Sequence, residues 1–159
     1  MTETPPPAAQ PIPLTINAQY IKDLSFENPN APQSLLPSKE QPQLDVQIDV
    51  QTRTGPDSSY EVTLHIKADA KVGGSRAFLI ELAYAGIATL KDIPAEYLQP
   101  ILLIEIPRLL FPFARNILAD TTRDGGFAPL MLNPIDFADL YRRHIDSQKA
   151  ATQKVAGNA

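Results

Sequence analysis

Between positions 101 and 118 the chain carries Ile101, Leu102, Leu103, Ile104, Ile106, Leu109, Leu110, Phe111, Phe113, Ile117 and Leu118. At helical spacing these residues leave almost no polar stripe, and a helix that is apolar nearly all round must be buried on every side. The whole chain has 159 residues, enough for one domain that buries roughly 70% of its unfolded surface. A subunit of that size does not readily wrap such a rod alone, so the pattern predicts that copies of the chain share it. A bilayer is no alternative home. The segment also holds Glu105, Arg108 and Arg115, and a charge at bilayer depth costs about 2.5 to 3.5 kcal/mol. Pro107 and Pro112 predict a kink or break in the rod. Asp92 and Pro94 mark its start, and Asp124-Gly125-Gly126 its end.

Upstream of this helix the apolar period is two. Leu44, Val46, Ile48 and Val50 alternate with Asp45, Gln47, Asp49 and Gln51, which predicts a half-buried strand. Tyr60, Val62, Leu64, Ile66 and Ala68 alternate in the same way with Glu61, Thr63, His65, Lys67 and Asp69. Turn formers from Thr54 to Ser59 join the two strands into an antiparallel hairpin. A third strand, 77–90, is apolar on both faces, with Phe78, Ile80, Leu82 and Tyr84 on one and Leu79, Ala83 and Ala85 beside Glu81 on the other. Such a strand is buried or uses its second face for a partner. A fourth candidate is 20–27, whose odd positions Ile21, Asp23, Ser25 and Glu27 share one face; a proline-rich crossover, 28–43, leads away from it. After the long helix, Asn133 as cap, Pro134 and Asp136 announce a second one. Its stripe is Phe137, Leu140, Tyr141 and His144. Four strands followed by two helices make an α+β fold, an antiparallel sheet covered on one face.

Five of the 16 prolines fall within residues 1–13, which predicts a disordered Pro-rich arm. That segment has no basic n-region and no apolar h-region, so it is no secretory signal and the cytoplasm is the expected compartment. The small, polar stretch 148–159 predicts a disordered tail. The folded domain is then 14–147. With no cysteine, disulfides and thiolate metal sites are excluded. Fourteen basic against 18 acidic residues, for a net charge of −4, give no phosphate-tracking surface, so nucleic acid is not an expected partner. His65 and His144 lack metal-ligand spacing, neither glycine-rich turn matches a phosphate loop, and no nucleophile has a base at motif distance. Neither an enzyme nor a cofactor site is expected.

What remains is the polar face of the sheet. In register it collects Asp23, Glu27, Asp45, Asp49, Glu61 and Glu81, offset by Lys67 and Lys71. Leu79 beside Glu81 pairs an apolar anchor with a charged rim, a pattern suited to a basic protein partner.

Particular words in the chain extend this reading. The run from Tyr20 to Pro32, YIKDLSFENPNAP, is similar to the opening of the SecB family of bacterial protein-export chaperones. Phe78-Leu79-Ile80-Glu81, Leu110-Phe111-Pro112-Phe113-Ala114-Arg115, Gly126-Phe127-Ala128-Pro129-Leu130 and Asn133-Pro134-Ile135-Asp136-Phe137 continue the resemblance in the family's order. It covers about residues 14 to 146. The resemblance implies a homotetramer, a dimer of dimers with the long helices between the sheets, and places Ile80, Leu82 and Tyr84 toward the helices and the oligomer interface. The function it implies is an ATP-independent holdase that binds unfolded precursor proteins in the cytoplasm and delivers them to the SecA motor. Matched by motif, Asp23, Glu27, Leu79 and Glu81 are the implied SecA contacts. Matched by location, Leu35 and Leu36 of the crossover and Phe137, Leu140 and Tyr141 of the last helix are candidates for a client groove. The family's better-known members carry aromatic residues in that crossover, where this chain has Leu35 and Leu36. The competing reading is an oligomeric scaffold, or an antitoxin-associated chaperone, with one dedicated protein partner.

Overall fold

A computed structural model describes residues 13–156. The strands are β1 (Leu14–Glu27), β2 (Gln43–Thr54), β3 (Ser59–Val72) and β4 (Ser75–Leu90). They form one antiparallel sheet in the order β1-β4-β3-β2. The two hairpins β2–β3 and β3–β4 use short turns, while the crossover carries the chain from one edge of the sheet to the other. The helices follow: α1 (Ala95–Pro100), a π turn (Ile101–Glu105), α2 (Ile106–Asp124) and α3 (Phe137–Ala156). They lie against one face, as the element order predicts. The predicted Pro-rich arm falls almost entirely on residues 1–12, outside the described part.

β1 is six residues longer at its N-terminal end than alternation suggested. It carries two register shifts, between Ile16 and Ala18 and between Ile21 and Asp23. Each inserts one unpaired residue, and a bulge moves everything beyond it to the other face. Ile21 therefore pairs with Tyr84 on the inner face, whereas Asp23 pairs with Ala83 on the outer one. Ile21 does not share a face with Asp23, Ser25 and Glu27; those three do share one.

The inner face of β3 and β4 is the core. Val62, Leu64, Ile66, Ala68, Ile80 and Leu82 meet Ile106, Leu110, Ala114 and Leu118 of α2. Gly86 of β4 makes the closest approach possible: a Cβ there would lie 2.9 Å from a methyl group of Leu110. On the outer face the apolar positions of β4 are mostly small. Ala83 and Ala85 are buried among their neighbours, and Tyr20 and Thr63 flank Ala85 in register. No partner is needed to cover them.

The prolines do not break the rod. Pro107 cannot donate to the helical ladder, and its ring would crowd a carbonyl one turn earlier. The chain absorbs this by widening to a π turn, in which the Ile106 N–H donates to the Ile101 carbonyl. Pro112 faces solvent, where water replaces the lost bond. The start is uncapped by a side chain, and Asp92 lies in the left-handed region before it. At the other end Phe127 N–H donates to the Thr122 carbonyl and Gly126 N–H to that of Arg123. With Gly126 at φ +93°, this is a Schellman stop. The cap of α3 is Asp136, not Asn133: its carboxylate accepts from Asp139 N–H at 3.0 Å. α3 then continues through 148–156, where a disordered tail was expected; residues 157–159 are outside the described part.

Leu110→Ala is expected to cost about 2 to 5 kcal/mol, because Leu110 is fully buried over Gly86 and the sheet cannot close on the void. Urea unfolding of the variant against the parent chain measures it.

Candidate functional site

The outer face of the sheet is built in rows. Glu27 stands opposite Leu79, Ser25 opposite Glu81, and Asp23 opposite Ala83. Unbroken alternation after the bulge keeps Asp23 on the same face as Glu27, about 13 Å away along the strand by the usual rise. β4 continues each row into β3 and β2: Leu79 to Asp69 and Asp45, Glu81 to Lys67 and Gln47, Ala83 to His65 and Asp49. Above the small Ala83 the face dips into a shallow hollow of about 550 Å³, rimmed by Lys22, Asp23, Asp49, His65, Lys67 and Glu81. The four residues Asp23, Glu27, Leu79 and Glu81 thus lie together on two adjacent strands.

The face is not the uniformly acidic platform that residue counting suggested. Glu61 is held by Lys22 at 2.6 Å and Arg53 at 3.3 Å, and it accepts a very short hydrogen bond from the Tyr20 hydroxyl. The Lys22 and Tyr20 hydrogen bonds pull the Glu61 carboxyl down to about 2. The same bond to the carboxylate, with burial, pushes the Tyr20 phenol up to about 12. Asp69 is clasped by two hydrogen bonds from Arg76, at 3.0 and 2.9 Å, which hold its carboxyl below the usual range. Glu81 pairs with Lys67 at 3.4 Å. Among the described residues Asp23, Glu27, Asp45 and Asp49 make no ion pair, and they carry the negative potential of the face.

The groove lies elsewhere. A trough of about 840 Å³ runs between the crossover, with Leu36, Pro37, Pro42 and Leu44, and the strap that joins α2 to α3, with Phe127, Pro129, Leu130 and Met131. Its floor is aromatic. Phe26, Phe78 and Phe127 form a triangle with ring centroids 5.0 to 6.3 Å apart, worth about 0.5 to 1.5 kcal/mol per pair beyond burial. Gly125 admits the Phe26 ring, which a Cβ there would overlap at 2.3 Å. Thr122 pins the strap: its buried hydroxyl donates to the Leu118 carbonyl at 2.8 Å and accepts from Leu130 N–H at 2.9 Å. Asn30 fixes the crossover by donating to the Arg76 carbonyl at 2.9 Å.

The structure therefore separates the groove candidates of the sequence. Leu36 lines the trough and Leu35 packs at its end, against Gly126. Phe137 is core, stacked edge-on against Phe111. Leu140 and Tyr141 line a different, smaller crevice of about 210 Å³ between α3, Leu103 and β2. Sequence reasoning missed Phe78, Phe127 and Met131 as groove walls, although Phe78 and Phe127 both stood in the quoted words. The oligomer candidates also need correction. Ile80 and Leu82 are 0% and 2% exposed within a single subunit, and Tyr84 is buried between Phe113 and Gln19. They are intramolecular core. The uncovered apolar surface of the rod is instead Leu109 and Phe113, one turn apart and about half exposed.

A sheet face that offers unpaired acids around one leucine, backed by an open apolar trough, defines a protein that binds other polypeptides. Comparison with known proteins gives that class a name. Residues 7–148 match the family model described as preprotein translocase subunit SecB. The chain is 52% identical to the protein-export protein SecB of Rhodopseudomonas palustris strain BisA53, over 98% of this chain and 96% of the relative. It is 55% identical to that of Bradyrhizobium sp. strain BTAi1, over 92% and 90%. It is 56% identical to that of Rhodospirillum centenum, over 84% and 80%. The fold is similar to that of a solved Mycobacterium tuberculosis SecB-like chaperone in complex with a peptide from an antitoxin, with a TM-score of 0.64 at 15% identity over 77% of this chain and 90% of that one. The chain belongs to the SecB family. It is a cytoplasmic protein-export chaperone, not an enzyme, and its clients are exported proteins. No helix among the described residues is long and apolar enough to cross a membrane.

The Glu61 cluster sets a pH dependence. Its folded pKa lies below the unfolded value of about 4.5, so its stabilisation is complete above pH 4.5 and is lost as pH falls toward 2. Glu61→Gln is expected to flatten the stability profile over that window, which guanidinium midpoints at stepped pH measure.

Proposed function

We propose that this SecB chaperone is a nucleotide-independent holdase that works as a dimer of dimers, keeps precursors unfolded and hands them to SecA. The observation that carries the hand-over is the β1–β4 register, which sets Glu27 against Leu79 and Ser25 against Glu81 with Asp23 on the same face. Three carboxylates around one leucine suit a basic partner with an apolar spot: the charges steer the encounter and the leucine fixes its register. Such docking is fast and weakens with salt.

The trough supports client binding. An unfolded segment contributes apolar side chains to Leu36, Phe127, Leu130 and Met131, and affinity accumulates as several segments of one client engage several subunits. A folded client hides those segments and is released or ignored, so selection needs no nucleotide. Leu140 and Tyr141 offer a second, shallower contact. The bare Leu109 and Phe113 surface of α2 supports assembly, since apolar area left in water on this helix is stabilised by a second copy.

The test has two arms. The chain is expected to suppress aggregation of an unfolded precursor without nucleotide, and Glu81→Lys or Asp23→Lys to weaken SecA binding at least tenfold at low salt with suppression unchanged. Absent suppression contradicts the holdase, and unchanged low-salt affinity removes those residues from the docking site. Retrieval of one stoichiometric protein in place of many precursors favours the dedicated-partner scaffold.

A further inference from the structure

Within the docking face just proposed, one carboxylate differs from the others. Glu81 faces Lys67 directly across the β3–β4 ladder, with Nζ 3.4 Å from Oε1. Both side chains are close to half exposed, at 44% and 48%. Asp23 and Glu27 have no such counter-ion among the described residues. Glu81 also lies two positions along β4 from the apolar anchor Leu79, on the same face. We infer that Lys67 tempers the affinity of the docking face: it occupies Glu81 in the free chaperone and competes with the partner's basic group for it. This rests on the docking reading above.

The physical argument runs from the weakness of the pair. An exposed ion pair contributes little, because water and salt screen it and two long side chains must be ordered to make it. A partner can therefore displace Lys67 at small cost, and docking exchanges an internal pair for an intermolecular one. A partner that brings no cation to that spot leaves the internal pair in place and gains nothing from Glu81. Lys67 thus lowers the affinity for a partner whose cation reaches Glu81, by what breaking the internal pair costs, and leaves a partner without that cation unaffected.

Lys67→Gln removes the competitor, and Lys71→Gln serves as its control. Lys71 lies on the same face of β3, about 13 Å along the strand, and its loss changes the net charge equally without freeing Glu81. Binding of SecA to the full-length chaperone at stepped salt is read for these variants, for Glu81→Gln and for Lys67→Gln/Glu81→Gln. The expected result is about two- to fivefold tighter binding for Lys67→Gln, a smaller gain for Lys71→Gln, and loss of the Lys67 effect once Glu81 is neutralised. Equal gains at Lys67 and Lys71 reduce the effect to net charge and overturn the inference, as does weaker binding by Lys67→Gln. Those outcomes leave the docking site standing if Glu81→Gln still weakens binding; if Glu81→Gln changes nothing, the docking reading itself falls.

Discussion

The rest of this structure depends on how much of one apolar helix a small sheet can cover. The rod from Ala95 to Asp124 gives the inner face of β3 and β4 its core through Ile106, Leu110, Ala114 and Leu118. It still presents Leu109 and Phe113 to water. At about 25 cal/mol per Å² of apolar area, two large side chains half in water forfeit on the order of a few kcal/mol per subunit. In the proposed assembly a second copy would recover that energy. The prolines fit this role. The π turn before Pro107 and the solvent-side position of Pro112 keep the rod continuous, so its bare face stays one surface.

The sheet divides its two faces by the strand period. Inward residues are spent on the helices, which leaves the outward rows free for recognition. That division makes the outer chemistry legible, because plain alternation puts Asp23 and Glu27 on one face of β1, in register with Leu79 and Glu81 of β4. The charges there are not a simple excess of acid. Glu61 and Asp69 are committed to internal cations, while Asp23 and Glu27 are left open. Internally paired and unpaired acids sit side by side on one surface, told apart by what lies opposite them.

Strands β2 to β4, their hairpins and the two-layer class were legible because Leu44 to Val50 and Tyr60 to Ala68 alternate without interruption. The start of β1 was not: Leu14, Ile16 and Ala18 do alternate with Thr15, Asn17 and Gln19, but the run is short and two bulges break the period that would join it to the rest of the strand. Asp136 displaced Asn133 as the cap because both are good capping residues and only the backbone path decides between them. The helix over 148–156 was hidden by small polar residues that specify neither helix nor coil strongly. Of the site, the acid and leucine set could be placed by alternation plus resemblance. The groove could not: its walls come from the crossover and from the strap pinned by Thr122, and no sequence period links segments some ninety residues apart. The inward direction of Ile80 and Leu82 was legible, but that they are covered within one subunit was not, since the covering residues lie in other elements.

The central claim is that the uncovered face of α2 obliges the subunits to associate, and solution mass tests it most directly. Light scattering at low micromolar concentration is predicted to give close to four times the 17.4 kDa of one chain. The double change Leu109→Glu/Phe113→Glu is predicted to lower that mass with the far-ultraviolet spectrum unchanged. A stable, folded species of 17.4 kDa for the unaltered chain under those conditions would contradict the account.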